Sequence, residues 1–288
     1  MTTENDTPSV GGLHSQVKPT FMVPAVGMSV FGGLLSTSLS LFTAVVHALA
    51  VGAALYTAHV VDEYVDAYVR AEEPPLLSIR EAQFGFAVAS AVCLSLAGVL
   101  AFDGRFSSAG SVVALWVLAV LHAPLLDKNT IAVTLDYPVG IALALVGGYL
   151  AQQQSLGSGV VALAVLFVVM LAGVKVSLDR LDLDFDERID KHTVPVVFGK
   201  RRAMAVSSGF FLVAGGLVAM FVSQSILPQL ALASVPILFG GGVVAFGSVA
   251  ERVVVRQMVF VYPISVVLFL SQCLATKCTV EPIISWLL

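Results

Sequence analysis

Nine apolar stretches, each close to the length of a bilayer-spanning helix, divide this chain between Pro19 and Thr276. A spanning helix needs about 20 mostly apolar residues. The stretches run over Pro19 to Ser36, Leu39 to Val61, Gln83 to Ala101, Ser111 to Leu126, Ile131 to Gln152, Gly157 to Leu178, Met204 to Gln224, Pro228 to Ser248 and Gln257 to Thr276. Only helices and closed barrels satisfy the backbone polar groups within lipid. Barrel strands alternate with period two, and these runs do not. The pattern therefore predicts an all-α integral membrane bundle of nine transmembrane helices around a central cavity. Charged residues make up 12% of the chain, against about a quarter in soluble domains, so an ordinary soluble fold is excluded.

Charge is distributed unevenly along this pattern. If nine spans alternate, Lys18, Arg70, Arg80, Lys128, Lys175, Arg180, Arg188, Lys191, Lys200, Arg201, Arg202, Arg252 and Arg256 share one side, leaving Arg105 and Lys277 opposite. Cytoplasmic loops carry the excess of Lys and Arg, which predicts a multi-pass cell-membrane protein with that face, and the N-terminus, in the cytoplasm. Among the carboxylates only Asp103 and Glu281 fall on the other side. Residues 1–17 are polar and lack the basic start and apolar core of a signal peptide; they are expected to form a mobile tail ahead of one domain over 18–288. Cys93, Cys273 and Cys278 show no metal-ligand spacing, and their odd number gives no disulfide framework. Nothing points to a nucleic-acid partner, and the protein partners, if any, are not specified.

Two long polar stretches, Asp62 to Arg80 and Asp179 to Arg202, follow the second and sixth apolar runs. Residues four apart in a helix lie on one face, so Asp62 and Asp66 point the same way with Glu63 beside them. Asp179, Asp182 and Asp186, at i, i+3 and i+7, also fall on one face. Columns of like charge repel unless a cation sits among them. Mg²⁺ is the natural one, because it binds through one or two carboxylates plus waters and phosphate oxygens. Lys128, Lys175, Arg180 and Lys200 to Arg202 lie on the same side, where they can neutralise further phosphate charge. The plain alternative is that such groups are solvated loop ends. Asp184 lies off the column, and Asp190 either caps the site or pairs with Arg188 or Lys191. Asp136, within the fifth span, is a functional candidate because ionisable groups there are costly. His59 and His122 could position an acceptor or be satisfied structurally; Tyr64, Tyr68 and Tyr137 read as interfacial belt residues, or as π faces for a cation.

The stretch containing Asp179, Asp182, Asp186, Lys191, Thr193, Pro195 and Gly199 resembles the second aspartate motif of the UbiA-type intramembrane prenyltransferases, D-x-x-D-x-x-x-D followed by Lys-x-Thr-x-Pro-Val and a glycine. Lys18-Pro19, Pro74 to Ala82, Leu125 to Lys128 and Leu135 to Gly140 resemble other segments of that family in order, so the resemblance covers roughly residues 17–250. It implies nine helices and Mg²⁺-dependent prenyl transfer, with Asp62, Asp66, Asp182 and Asp186 catalytic. It also implies metal ligation by Asp62, Glu63, Asp66, Asp179, Asp182 and Asp186. The first motif departs from the family pattern Asn-Asp-x-x-Asp-x-x-x-Asp: Asp62 replaces Asn, Glu63 replaces Asp, and Arg70 stands at the last Asp. Arg70 cannot bind a metal ion but can contact phosphate, as can Lys128, Lys175 and Arg180.

The activity so implied joins a prenyl diphosphate to a lipophilic acceptor in membrane lipid. An aromatic quinone precursor is the expected acceptor, a glycerol-phosphate ether-lipid precursor the nearest alternative. A catalytically altered, lipid-binding relative remains a third reading. A transporter would place ionisable groups near mid-membrane, in broken helices, whereas these gather at one edge.

Overall fold

The structure is a computed structural model that describes residues 10–71, 74–188 and 191–281. Every regular element among the described residues is helical. In chain order they are α1 (Val10–Ser15), α2 (Pro19–Leu34), α3 (Leu41–Tyr64, continued by a π turn over Val65–Val69), α4 (Ile79–Phe102) and α5 (Phe106–Leu125, then a 3₁₀ turn over Leu126–Lys128). There follow α6 (Thr130–Leu150), α7 (Ser158–Leu178), α8 (Leu183–Asp186), α9 (Val194–Phe198) and α10 (Lys200–Ser223). A 3₁₀ turn over Gln229–Ser234 leads into α11 (Val235–Val244), and α12 (Ala250–Thr276) closes the described chain.

Local chemistry sets where these helices begin. Ser40 accepts a bond from Thr43 N at the start of α3, and Asn129 accepts from Ile131 N and Ala132 N at the start of α6. Ser78 and Glu81 form a reciprocal capping box on α4, satisfying two of its orphan N–H groups. Pro19 occupies the first turn of α2, where its missing N–H costs nothing.

Seven helices, 21 to 29 residues long, are apolar enough to cross a bilayer. The other two expected spans are shorter: α2 has 16 residues, and Gln229–Val244 opens in a 3₁₀ turn before becoming α-helical. Pro228 heads that turn, and the short α11 contains Gly240 to Gly242. Apolar composition thus overstated the length of these two segments.

Along α3, Leu41, Val45 and Leu49 are more than half exposed while Val46, Ala50 and Ala54 are buried. The outward stripe is what a lipid-facing surface requires; the inward one joins the main core. α2 packs on α3 and α6; α5 packs on α3, α4 and α6; α6 leads to α7, which packs on α10 and α12, and α11 lies against both of these. α7 is the most enclosed of the long helices, so the carboxylates that follow it emerge from the middle of the bundle.

One further expectation is corrected. Within the N-terminal segment expected to be a mobile tail, α1 covers Val10–Ser15; Gln16 is fully buried, Tyr56 donates to Leu13 O at 2.8 Å, and Leu13 packs beside Val60, Leu77 and Ala82. Residues 1–9 and 282–288 lie outside the described residues, as do Glu73 and Asp190. Cys273 and Cys278 are disulfide-bonded across the end of α12, where Lys277 adopts a left-handed conformation, while Cys93 is free and buried. Counting cysteines could not reveal a pair formed by the helix terminus itself.

Candidate active site

Where α3 reaches the membrane edge, its last turns widen into the π turn over Val65–Val69, closed by Arg70 N to Val65 O at 2.9 Å. Such i→i+5 turns interrupt the helical register and recur at functional sites. Asp62, Glu63 and Asp66 stand on either side of this change. Asp62 lies 3.8 Å from Lys18 and 3.9 Å from His122 Nε2. Glu63 turns to the neighbouring backbone instead, accepting from Leu76 N at 2.6 Å and from Gln16 at 3.5 Å. Asp66 accepts from Arg70 at 3.0 Å.

The second motif is not a continuous helix. α7 stops at Leu178, a turn carries Asp179 to Leu181, and Asp182 caps the four-residue α8. The expected column of three is therefore split. Asp179 and Asp186 are buried, each 4% exposed, whereas Asp182 and Asp184 are exposed. Burial raises the pKa of Asp179, opposed by the ion pair it makes with Lys175. Burial also pushes the Asp186 carboxyl up to about 6, against the pull of Lys191 and a 3.2 Å bond from Thr193 Oγ1. The turn has a visible anchor. Arg180 points away from the carboxylates and donates to Ala245 O at 3.1 Å and Gly247 O at 3.0 Å, fastening α7 to the segment before α12. Lys128 is exposed, and its carbonyl accepts from His192.

Asp127 and Lys191, which the motif reading did not single out as site residues, join the two halves. Asp127 is 1% exposed; its Oδ2 receives Arg70 at 3.2 Å and Lys191 at 3.3 Å, and its Oδ1 is buried with no hydrogen-bond partner. Desolvation opposes the charge on Lys191, but Asp127, Asp186 and Asp62 outweigh it and hold the pKa above the ordinary lysine value. One lysine from the second motif thus feels carboxylates of both motifs. The signal in the sequence was a lone aspartate at the foot of an apolar span. Beside it, His122 Nδ1 meets Asp136 Oδ2 at 2.6 Å. Phe21 packs edge-on against His59 and Tyr137, at ring separations of 6.2 and 6.1 Å.

Arg70 holds this edge together, since it also donates to Ala123 O at 2.6 Å. Arg70→Ala is expected to cost about 3 kcal/mol, because it removes one of the two cations at a buried carboxylate. Arg70→Asp, which restores the residue usual in the resembled family, should be worse than alanine because it adds charge beside Asp66 and Asp127. Thermal unfolding in detergent ranks the two variants; an Arg70→Asp protein as stable as the parent would refute this reading of the ion-pair network.

A separate cavity of about 540 Å³ opens at the other end of the bundle, lined by Tyr149, Ser158, Gln229 and Gln272 among others. The length of a spanning helix, roughly 30 Å, separates it from the carboxylates.

The geometry has parallels among solved structures. A structure of digeranylgeranylglyceryl phosphate synthase superposes with a TM-score of 0.72 at 14% identity, covering 91% of this chain and 97% of that one. The apo UbiA homologue of Aeropyrum pernix K1 gives 0.68 at 17%, covering 88% and 96%. The UbiA homologue of Archaeoglobus fulgidus bound to GPP and Mg²⁺ gives 0.67 at 14%, covering 89% and 96%. At these identities the likeness shows the shared fold. No curated protein sequence matches the chain. The profile of the UbiA prenyltransferase family, however, matches residues 19–271, spanning both aspartate motifs and the helices between them, and the chain belongs to that family.

Proposed function

We propose that this protein transfers a polyprenyl group from an allylic prenyl diphosphate to an aromatic quinone precursor, with Mg²⁺, at the membrane edge where its carboxylates gather. The observation that carries the reading is that Arg70, from the first acidic stretch, and Lys191, from the second, meet on one oxygen of Asp127, at 3.2 and 3.3 Å. Asp62, Asp66, Asp179, Asp182 and Asp186 are the proposed metal ligands, while Glu63 in this conformation holds the loop at Leu76. The donors suit Mg²⁺, being all-oxygen, and Asp179 Oδ2 is buried with no hydrogen-bond partner. Bound there, the ion would neutralise charge on the diphosphate oxygens.

The chain's own groups account for the remaining steps. Arg70, Lys175 and Lys191, each paired with a carboxylate, stand ready to exchange part of that pairing for diphosphate. The C1–O bond breaks with its electron pair leaving on the diphosphate. An acceptor ring carbon then supplies the electrons of the new C–C bond, and a ring proton is lost. Phe21 and Tyr137 present π faces suited to the allylic cation, and the apolar helices hold the prenyl tail away from water. An aromatic acceptor fits better than a glycerol phosphate because the diphosphate already draws on Arg70, Lys175 and Lys191, which carboxylates share. A second phosphate would need further positive charge.

Orientation belongs to the same proposal. Thirteen of the 15 basic residues fall on the carboxylate side, supporting a cytoplasmic active-site face. The Cys273–Cys278 disulfide lies at the opposite end, and disulfides persist in oxidising compartments.

The test supplies purified protein with Mg²⁺, labelled geranylgeranyl diphosphate and either a hydroxylated aromatic acid or a glycerol-phosphate ether, reading products by mass. Prenylated aromatic product that disappears with a chelator is expected. Product from the glycerol ether alone would overturn the acceptor assignment; no product with either would overturn the catalytic one.

A further inference from the structure

His122, Asp127 and Asp136 come from the last turn of α5, the 3₁₀ turn after it, and α6. One donor atom from each lies within 4.8 Å of the others. Neither aspartate belongs to an acidic motif, and both are nearly inaccessible, at 1% and 3% exposure. Arg70 and Lys191 occupy only Oδ2 of Asp127; the orphaned Oδ1 is a full carboxylate lone-pair site withdrawn from water. Burying such an oxygen without a partner is unfavourable. His122 remains partly open, and its Nε2 also lies 3.9 Å from Asp62 Oδ1.

We propose that these three residues form a second cation site, specific for a borderline divalent transition ion such as Zn²⁺, beside the carboxylate-only Mg²⁺ site. An imidazole nitrogen among the donors distinguishes the two. Mg²⁺ favours oxygen ligands, whereas imidazole suits the later first-row ions. Three protein donors with one side open are also the pattern of a zinc site that keeps a coordination position for another ligand. The ion gives Asp127 Oδ1 its missing partner and balances the charge of Asp136, whose ion-pair partner among the described residues is the His122 imidazole. The proposal rests on this geometry and stands whether or not the acceptor is aromatic.

The test strips the full-length, detergent-solubilised protein with chelator and dialyses it against micromolar Zn²⁺ in millimolar Mg²⁺. Metal analysis and zinc-edge X-ray absorption follow. Stoichiometric Zn²⁺ with nitrogen in its first shell is expected. His122→Ala should weaken retention at least ~10-fold, the scale of effect seen even for outer-shell partners, while Asp182→Asn should leave it unchanged. An all-oxygen shell, no retained Zn²⁺, or loss in Asp182→Asn with retention in His122→Ala would each overturn the site. The absorption measurement uses the unmodified chain, so the decision does not depend on the variant folding.

Discussion

Asp186→Asn is expected to lower prenyl transfer by about 10²–10³-fold or more, the scale of losing a group aimed at developing charge, while leaving the protein folded. The side chain is 4% exposed, and it lies in a short helix whose backbone contacts do not need its charge: Asp186 N bonds to Asp182 O, and Asp186 O accepts from Lys191 N at 3.0 Å. Asparagine keeps the volume and can keep an oxygen for Thr193 Oγ1, which bonds Asp186 Oδ2 at 3.2 Å. What disappears is a negative charge that burial already disfavours, the carboxyl being pushed up to about 6. The metal-free variant should therefore unfold at the parent's temperature or slightly above it. A second measurement separates the roles. Mg²⁺ with a prenyl diphosphate should raise the unfolding temperature of the parent, as any ligand of the native state does, and should fail to do so for Asp186→Asn. Activity within about tenfold of the parent would remove Asp186 from the reaction.

Asp186 also marks how far the sequence could be read. Its spacing from Asp179 and Asp182, with Lys191, Thr193 and Pro195 behind it, carried the resemblance to the family whose profile matches residues 19–271. The spacing also predicted one helical column, and there the reading failed. α7 ends where Arg180 turns to the carbonyls of Ala245 and Gly247, some 65 residues later in the chain. No local pattern encodes that partner. The same limit hid the joint between the motifs. Arg70, Asp127 and Lys191 are far apart in sequence, and only folding brings two cations to a single buried oxygen of Asp127. Of the nine apolar runs read as spans, seven are helices long enough to cross a bilayer and two are shorter, because helix length also depends on Pro228 and the short α11, which hydropathy alone does not weigh.

The second large effect is expected far from the chemistry, at Gly32 and Gly148. Helix association in lipid relies on close packing rather than on hydrophobic exclusion, so small residues mark the tightest crossings. α2 and α6 meet at such a crossing. A Cβ on Gly148 would collide with the Ser29 carbonyl, its nearest carbon atoms lying 2.8 and 3.0 Å away. A Cβ on Gly32 would collide with Leu145 O and approach Leu145 C and Tyr149 N at 2.9 Å. Every one of these obstacles is backbone, so no side chain can rotate aside and the helices must part. Overpacking typically costs about 1–3 kcal/mol, and a backbone clash belongs at the upper end or beyond it. Parting would also disturb the buried Ser29–His47 bond of 2.7 Å and the N-terminal end of α2, which sets Lys18 beside Asp62. Gly148→Ala and Gly32→Ala should each lower the folded yield and the unfolding temperature sharply. The double variant should lose less than the sum, because once the helices have separated the second methyl finds room. Gly98→Ala is the control: nothing lies within 4 Å of its Cβ position, and alanine within a helix should add about 0.5–1 kcal/mol. If all three single variants behaved alike, the α2–α6 contact would not be the constraint on this bundle that its backbone distances indicate.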